Sequence, residues 1–319
     1  MVLKNEIKNI VGVVLAPIVN LFHMNTGSLT VFNYHDVTHQ PSEFEKEYDL
    51  FVTPDAFEKQ IIWVKNNYNI IHPKDIVNGK SIPKRAALIT FDDGFLGAFE
   101  NGLKILNKHN VPSIMFLNMY TVLEKKPMLS ALVCYMEKYV SDFSVLAERE
   151  RIVKPYYLTM TPCAIEAIKN KMPDIDMQAI LSYQGEVADV GVLEKWSGMN
   201  VVYGNHLYDH WNCKALTDSQ LEEQYLKNEQ ELLKLNNHMK YFAFTNGTPE
   251  ICFTNKDVSI LNSMGAKAIF TTSGGVNINK GINVFGRMNF TNDDTKTGLL
   301  WFRVMRAILS EFRQIKIFS

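Results

Sequence analysis

Six apolar segments with strand character recur along this chain, at residues 29–34, 86–91, 113–117, 200–203, 241–244 and 268–271, and helix-like stretches separate them. Such an alternation selects an α/β architecture with parallel strands, because parallel neighbours need a crossover to join them. Most of these segments run straight into polar or glycine residues: His35 and Asp36, then Asp92, Asp93 and Gly94, then Asn205 and His206, then Asn246 and Gly247, and finally Ser273, Gly274 and Gly275. Polar groups gathered at the carboxyl ends of many strands are the pattern of a (β/α) barrel.

The intervening helices carry ordinary start signals. Thr53 as N-cap with Pro54 behind it opens a helix that buries Phe57, Ile61 and Val64, and Thr217 caps another running through Leu221, Tyr225, Leu232 and Leu235. Residues 126–198 show several short helical patterns and read as an insertion that roofs the site or contacts substrate. The resulting division is an apolar N-terminal helix (1–28), a catalytic domain (29–292) holding that insertion, and a basic amphipathic C-terminal helix (293–319).

At 319 residues and 46% hydrophobic content the chain can bury a sizeable core, and a formal net charge of -1 argues against nucleic acid as a partner. The four cysteines form no C-x-x-C pair, which argues against a thiolate metal site and for free thiols in a reducing compartment. The apolar run at residues 10–22 is too short to span a bilayer, contains Pro17 and Asn20, and is followed by no convincing cleavage site. It reads as an interfacial or packing helix, with a cytoplasmic location at the inner membrane face. Near the C-terminus, Trp301, Phe302, Val304, Met305, Ile308, Leu309 and Phe312 alternate with Arg303, Arg306, Arg313 and Lys316. Two readings stand there: a basic helix making peripheral contact with an anionic membrane, or a helix that packs on the body of the protein.

The chemistry centres on Leu88, Ile89, Thr90, Phe91, Asp92, Asp93 and Gly94, an apolar strand ending in two adjacent carboxylates. Neighbouring strand residues point to opposite faces, so two acids side by side suggest two jobs. His206 and His210 are spaced to share one face of a helix or helical turn, and with one acid they make a two-His, one-carboxylate set that leaves positions open for water and substrate. A lone H-x-x-x-H is a weak signal, but here it follows an apolar strand and is accompanied by other polar-tipped strands.

The run Thr90, Phe91, Asp92, Asp93, Gly94, the later His206 and His210, and the early Asn33, Tyr34, His35, Asp36 together resemble the polysaccharide deacetylase family, also called the NodB-homology domain or carbohydrate esterase family 4. The likeness is strongest to the branch whose first strand ends in a Tyr-His pair, and it covers roughly residues 29–290. It implies a distorted (β/α) barrel of seven or eight parallel strands, one divalent metal such as zinc, and removal of N-acetyl groups from amino sugars of a polysaccharide or lipid-linked glycan. Carried over, it makes Asp92 the general base and Asp93, His206 and His210 the metal ligands. The third motif, residues 242–247, would supply a backbone N–H to the oxyanion, although Phe244, Thr245, Asn246, Gly247 stand where an aromatic or arginine followed by proline is usual. Tyr34, Phe244, Thr245 and Asn246 are the substrate-binding candidates. Arg287 matches a late arginine that orients the base, with an ordinary surface arginine as the other reading. The family's late histidine is missing, which leaves His35 or water to protonate the leaving amine. Deformylation or another deacylation on the same fold, or a carbohydrate-binding relative without chemistry, are the alternatives.

Overall fold

The computed structural model describes residues 2–26, 28–77, 82–172, 175–278 and 283–318, excluding the side chains at 2, 24–26 and 312–318. Helix α1 (Val2–Thr26) leads into β1 (Leu29–Tyr34), then α2 (Pro54–Asn67), β2 (Ala86–Phe91) and β3 (Ser113–Leu117). A run of short helices follows, among them α3 (Leu129–Tyr139), before β4 (Val201–Asn205), α4 (Asp218–Leu232), β5 (His238–Ala243), β6 (Ala268–Thr271), β7 (Val284–Gly286), β8 (Met288–Asn289) and α5 (Thr297–Phe318). The expected caps form, with Thr53 accepting from Ala56 N and Thr217 in a capping box with Gln220.

Strands β1 to β7 pair in parallel in chain order, and β8 returns to lie parallel to β1. The ring therefore closes through a single segment, residues 284–289, that leaves β6 and joins β1 with Arg287 at the changeover. Residues 276–277 add an antiparallel pair beside β1, which completes a distorted (β/α) barrel with helices around it. Every residue of β1, β2, β3, β4 and β6 is buried, as expected for parallel strands covered on both faces. Strand alternation then sorts side chains into two layers. Val31, Leu88, Ile114, Phe116, Val202, Tyr241 and Phe270 fill the barrel interior, whereas Phe32, Tyr34, Ile89, Phe91 and Met115 pack outward with the helices.

Two strands are displaced from the sequence expectation, at 201–205 and 238–243 instead of 200–203 and 241–244. Strand β4 extends through Gly204, where a Cβ would come within 2.7 Å of the Phe116 ring, so only glycine lets the strand continue past that side chain.

The terminal helices lie side by side. Glu6 pairs with Lys296, Asn9 accepts from Gly298 N, and a Cβ on Gly12 would meet Gly298 O at 1.7 Å, so the backbones touch at a glycine–glycine crossing and run in the same direction. Trp301 packs edge-on to Trp63, and Val304 and Ile308 enter the main core, as does Val19 of α1. Trp301, Val304 and Ile308 of α5 thus pack on the body of the protein, the second of the two readings, whereas Leu309 is exposed; Phe312, Arg313 and Lys316 lie outside the described side chains. The outward apolar face belongs to α1, where Leu3, Ile7, Ile10, Val14, Ile18 and Leu21 form a stripe 55–75% exposed. The 10–22 run understated this helix. From Leu3 to His23 it is long and apolar enough to cross a membrane, by length and composition alone.

Candidate active site

The site stands at the carboxyl ends of β1, β2, β4, β5 and β7, where the inward layer turns from apolar to polar. Asp92 continues the inward register of Leu88 and Thr90. Its carboxylate takes two parallel hydrogen bonds from Arg287, Nη1 to Oδ1 at 2.6 Å and Nη2 to Oδ2 at 2.8 Å, and a third from Asn33 Nδ2 at 3.2 Å. Arg287 in turn donates to Asn33 Oδ1 and the Thr271 carbonyl, and Thr90 Oγ1 donates to Asn33 Oδ1. Burial penalises the Asp92 charge, but the Arg287 guanidinium, followed by His206, outweighs it and holds the carboxyl below its ordinary range. Arg287 is itself buried, which disposes of the surface-arginine reading.

Asp93 does not follow the strand. It adopts φ 69, in the left-handed region that Asp tolerates better than most residues, and Gly94 follows at φ 75. The backbone thus turns back on itself, so the divergence of the two acids comes from this turn and not from pleating. Asp93 Oδ1 lies 3.4 Å from His206 Nε2 and 3.2 Å from His210 Nε2, and the three ligand atoms fall within 4.8 Å of one another. Burial opposes ionisation of Asp93, yet His210 first and His206 after it hold the carboxyl well below the usual carboxylate range.

The two histidines are not on a helix, contrary to the sequence expectation. Residues 206–212 form an irregular loop, with Leu207 at φ 60 and His210 at φ 64, and the i,i+4 spacing closes through these turns. Buried amides hold that loop. Asn118 Nδ2 donates to the carbonyls of His206 and Leu207, Asn205 Oδ1 accepts from Leu207 N, and Asn228 Nδ2 donates to Asn205 Oδ1. His206 Nδ1 is 2.8 Å from the Ala243 carbonyl, so it carries its proton and leaves Nε2 as a lone pair; His210 Nδ1 is 3.1 Å from Ser130 Oγ.

This arrangement fits a cation. Asp93 Oδ1 is buried without an aligned donor among the described residues, and it faces two imidazole Nε2 atoms, of which that of His206 is an acceptor because its Nδ1 holds the proton. Convergent acceptors in a buried space call for a positive charge, and one carboxylate with two imidazoles suits a divalent ion with open coordination positions.

His35, on the inward register of β1, is half-buried beside this cluster. Burial lowers its pKa, and the nearby Asp93 and Asp92 only partly restore it. Four of the five other histidines have local partners: His23 with Ser28, His109 with Glu58, His238 with Glu229, and His72 with Lys74 N.

Two substrate-binding expectations are corrected. Tyr34 points outward into the core between Phe57 and Phe91, and Phe244 does the same just past the end of β5, stacking on Phe253 at 3.8 Å. Alternation explains both, since Asn33 and Ala243 hold the inward positions next to them. Thr245 is spent on the Trp211 carbonyl, whereas Asn246, at φ 60, keeps a buried Nδ2 donor without a partner. Asn33, Thr90, Ser130 and the Ala243 carbonyl were not among the sequence candidates. For Asn33 the signal was present, because it shares the inward register with His35.

No family model matches the sequence, and no curated protein does. Solved structures do. The deacetylase PplD of Streptococcus pyogenes, in complex with acetate, aligns with 86% of this chain and 98% of its own at 13% identity and TM-score 0.58. IcaB from Ammonifex degensii aligns with 86% and 97% at 17% identity and TM-score 0.57. BC0361, a polysaccharide deacetylase from Bacillus cereus, aligns with 88% and 69% at 15% identity and TM-score 0.56. The fold implied by the motif resemblance is thus the fold of solved polysaccharide deacetylases.

Proposed function

We propose that this chain is a metal-dependent carbohydrate deacetylase that removes N-acetyl groups from amino sugars of a polysaccharide or lipid-linked glycan. The observation that carries the reading is the meeting of Asp93, His206 and His210 within 4.8 Å, beside a second carboxylate locked to Arg287. A bare carbohydrate-binding barrel has no use for three convergent acceptors, and the motif resemblance and the shared fold support the same chemistry. Zinc is the ion we assign, since imidazole and carboxylate donors in a three-ligand set suit it.

The ion, when bound, supplies Lewis acidity for the amide carbonyl and the attacking water. Asp92 takes the water's proton. Arg287 and Asn33 keep its carboxylate ionised and fixed in direction, which a base needs more than a high pKa when the water is already acidified. The backbone of residues 242–247 meets the charge that develops on the oxygen, and Asn246 Nδ2 is the side-chain donor left to contact the sugar. Protonation of the leaving amine falls to His35, the imidazole beside the triad with no ligand role; His35→Ala should lower turnover and change its pH profile, and an unaltered profile assigns the step to water. The exposed stripe of α1 supports seating on a membrane, and we propose the cytoplasmic face, where a lipid-linked glycan would be met.

Acetate release over a panel of N-acetylated glycans, with wild type beside Asp92→Asn, tests the reaction. Release by the wild type that is lost in Asp92→Asn is expected. No release from any glycan, with a stoichiometric ion bound, would move the reading to deformylation or another deacylation.

A further inference from the structure

Helix α3 belongs to the inserted residues 126–198, yet its first turn touches the histidine loop. Leu129 N donates to the Asp209 carbonyl at 3.4 Å, and the next residue, Ser130, places Oγ 3.1 Å from His210 Nδ1. Ser130 is buried, and its helix is fixed from behind by Met128 N donating to Gln184 Oε1 at 2.6 Å and by Ser42 Oγ donating to the Gln184 carbonyl at 2.8 Å. Asn212 Nδ2 also donates to the Leu158 carbonyl at 2.6 Å, so the insertion grips the loop at its middle and at its far end.

Compare the two imidazoles. His206 has its tautomer set by a carbonyl, which can only accept. His210 has only a hydroxyl, which accepts or donates. With Nδ1–H donated to Ser130 Oγ, the lone pair sits on Nε2, 3.2 Å from Asp93 Oδ1 and aimed at the common centre. With the hydroxyl donating instead, Nε2 would carry the proton and be useless as a ligand.

We infer that Ser130 is a positioning residue for the metal site, and that the insertion is an integral part of that site because, through the Nδ1 contact, it holds the His210 ring with Nε2 toward the common centre. This rests on the metal-site reading above. Removing the hydroxyl leaves a buried Nδ1 without that partner and frees the ring to turn.

The test uses the full chain and zinc alone as the probe. Zinc affinity is measured by competition with a chromophoric chelator for wild type, Ser130→Ala and Ser130→Thr. Ser130→Ala is expected to weaken zinc by about 10–100-fold, with Ser130→Thr restoring most of the affinity. Unfolding curves show whether Ser130→Ala keeps the wild-type fold; a loss that Ser130→Thr fails to restore counts against the hydroxyl. Wild-type affinity in Ser130→Ala overturns this inference and leaves the metal reading standing, whereas a wild-type chain that binds no zinc overturns both.

Discussion

Asp92 and Asp93 are the same residue type, adjacent in sequence and both buried, and their surroundings are opposite. Asp92 is saturated with donors: a guanidinium on both oxygens and an amide beside it. Asp93 faces two imidazole Nε2 atoms and has no aligned donor on Oδ1 among the described residues. One acid is thus completed by the protein, and the other needs something the chain does not supply. The agent of this difference is local backbone, since a single left-handed residue turns Asp93 out of the register that carries Asp92 toward Arg287.

The contrast breaks most visibly at the two acids themselves. Asp93→Asn should abolish stoichiometric zinc, read by elemental analysis, and take activity with it. Asp92→Asn should lower turnover by about 10²–10⁴-fold while zinc stays bound. If Asp92→Asn also lost the ion, the two carboxylates would share one job and the division drawn here would be wrong.

Next in size is Arg287→Ala, which leaves the Asp92 carboxylate buried and unpaired. Denaturant unfolding should show a loss of about 3–5 kcal/mol, with part of it recovered when Asp92→Asn is added. The sign with pH follows from the depressed carboxyl. Its contribution to stability is present above the unfolded-state value near 3.8 and is lost as pH falls through the lower folded value, so the double variant should show a shallower decline in acid.

A third acid sharpens the comparison at smaller scale. Asp36 is buried against Glu45, and burial, then Glu45's charge and hydrogen bond, push its carboxyl up to about 8. Here the protonated form is favoured by folding. Its contribution is full below the ordinary value of 3.8 and disappears as pH rises through about 8. Thermal unfolding of Asp36→Asn should therefore vary less between pH 5 and 9 than that of the wild type, about these pKa limits. Parallel curves would mean that Asp36 and Glu45 share no proton.

The barrel was legible because buried parallel strands are written as continuous apolar runs, and the metal triad because two histidines and an acid follow such runs. The path of the backbone between those residues was not legible. The spacing of His206 and His210 suits a helix equally well, and nothing in the intervening residues announces that Leu207 and His210 take positive φ. Tyr34 and Phe244 were misplaced for a different reason: a motif says which residues cluster, whereas alternation decides which of them face inward. Ser130 carries no pattern at all. A serine in the first turn of a largely apolar helix gains its meaning only from His210, 80 residues away.

The glycine–glycine contact between α1 and α5 also has a temporal side. Thr26 ends the first helix and Thr297 begins its companion, a separation of about 270 residues that gives this pairing one of the longest loops to close in the chain. During synthesis the first helix emerges long before its neighbour exists, with Gly12 and both of its apolar sides bare. Whatever shelters it over that interval, a chaperone or a lipid surface, acts on the nascent chain before the barrel is complete.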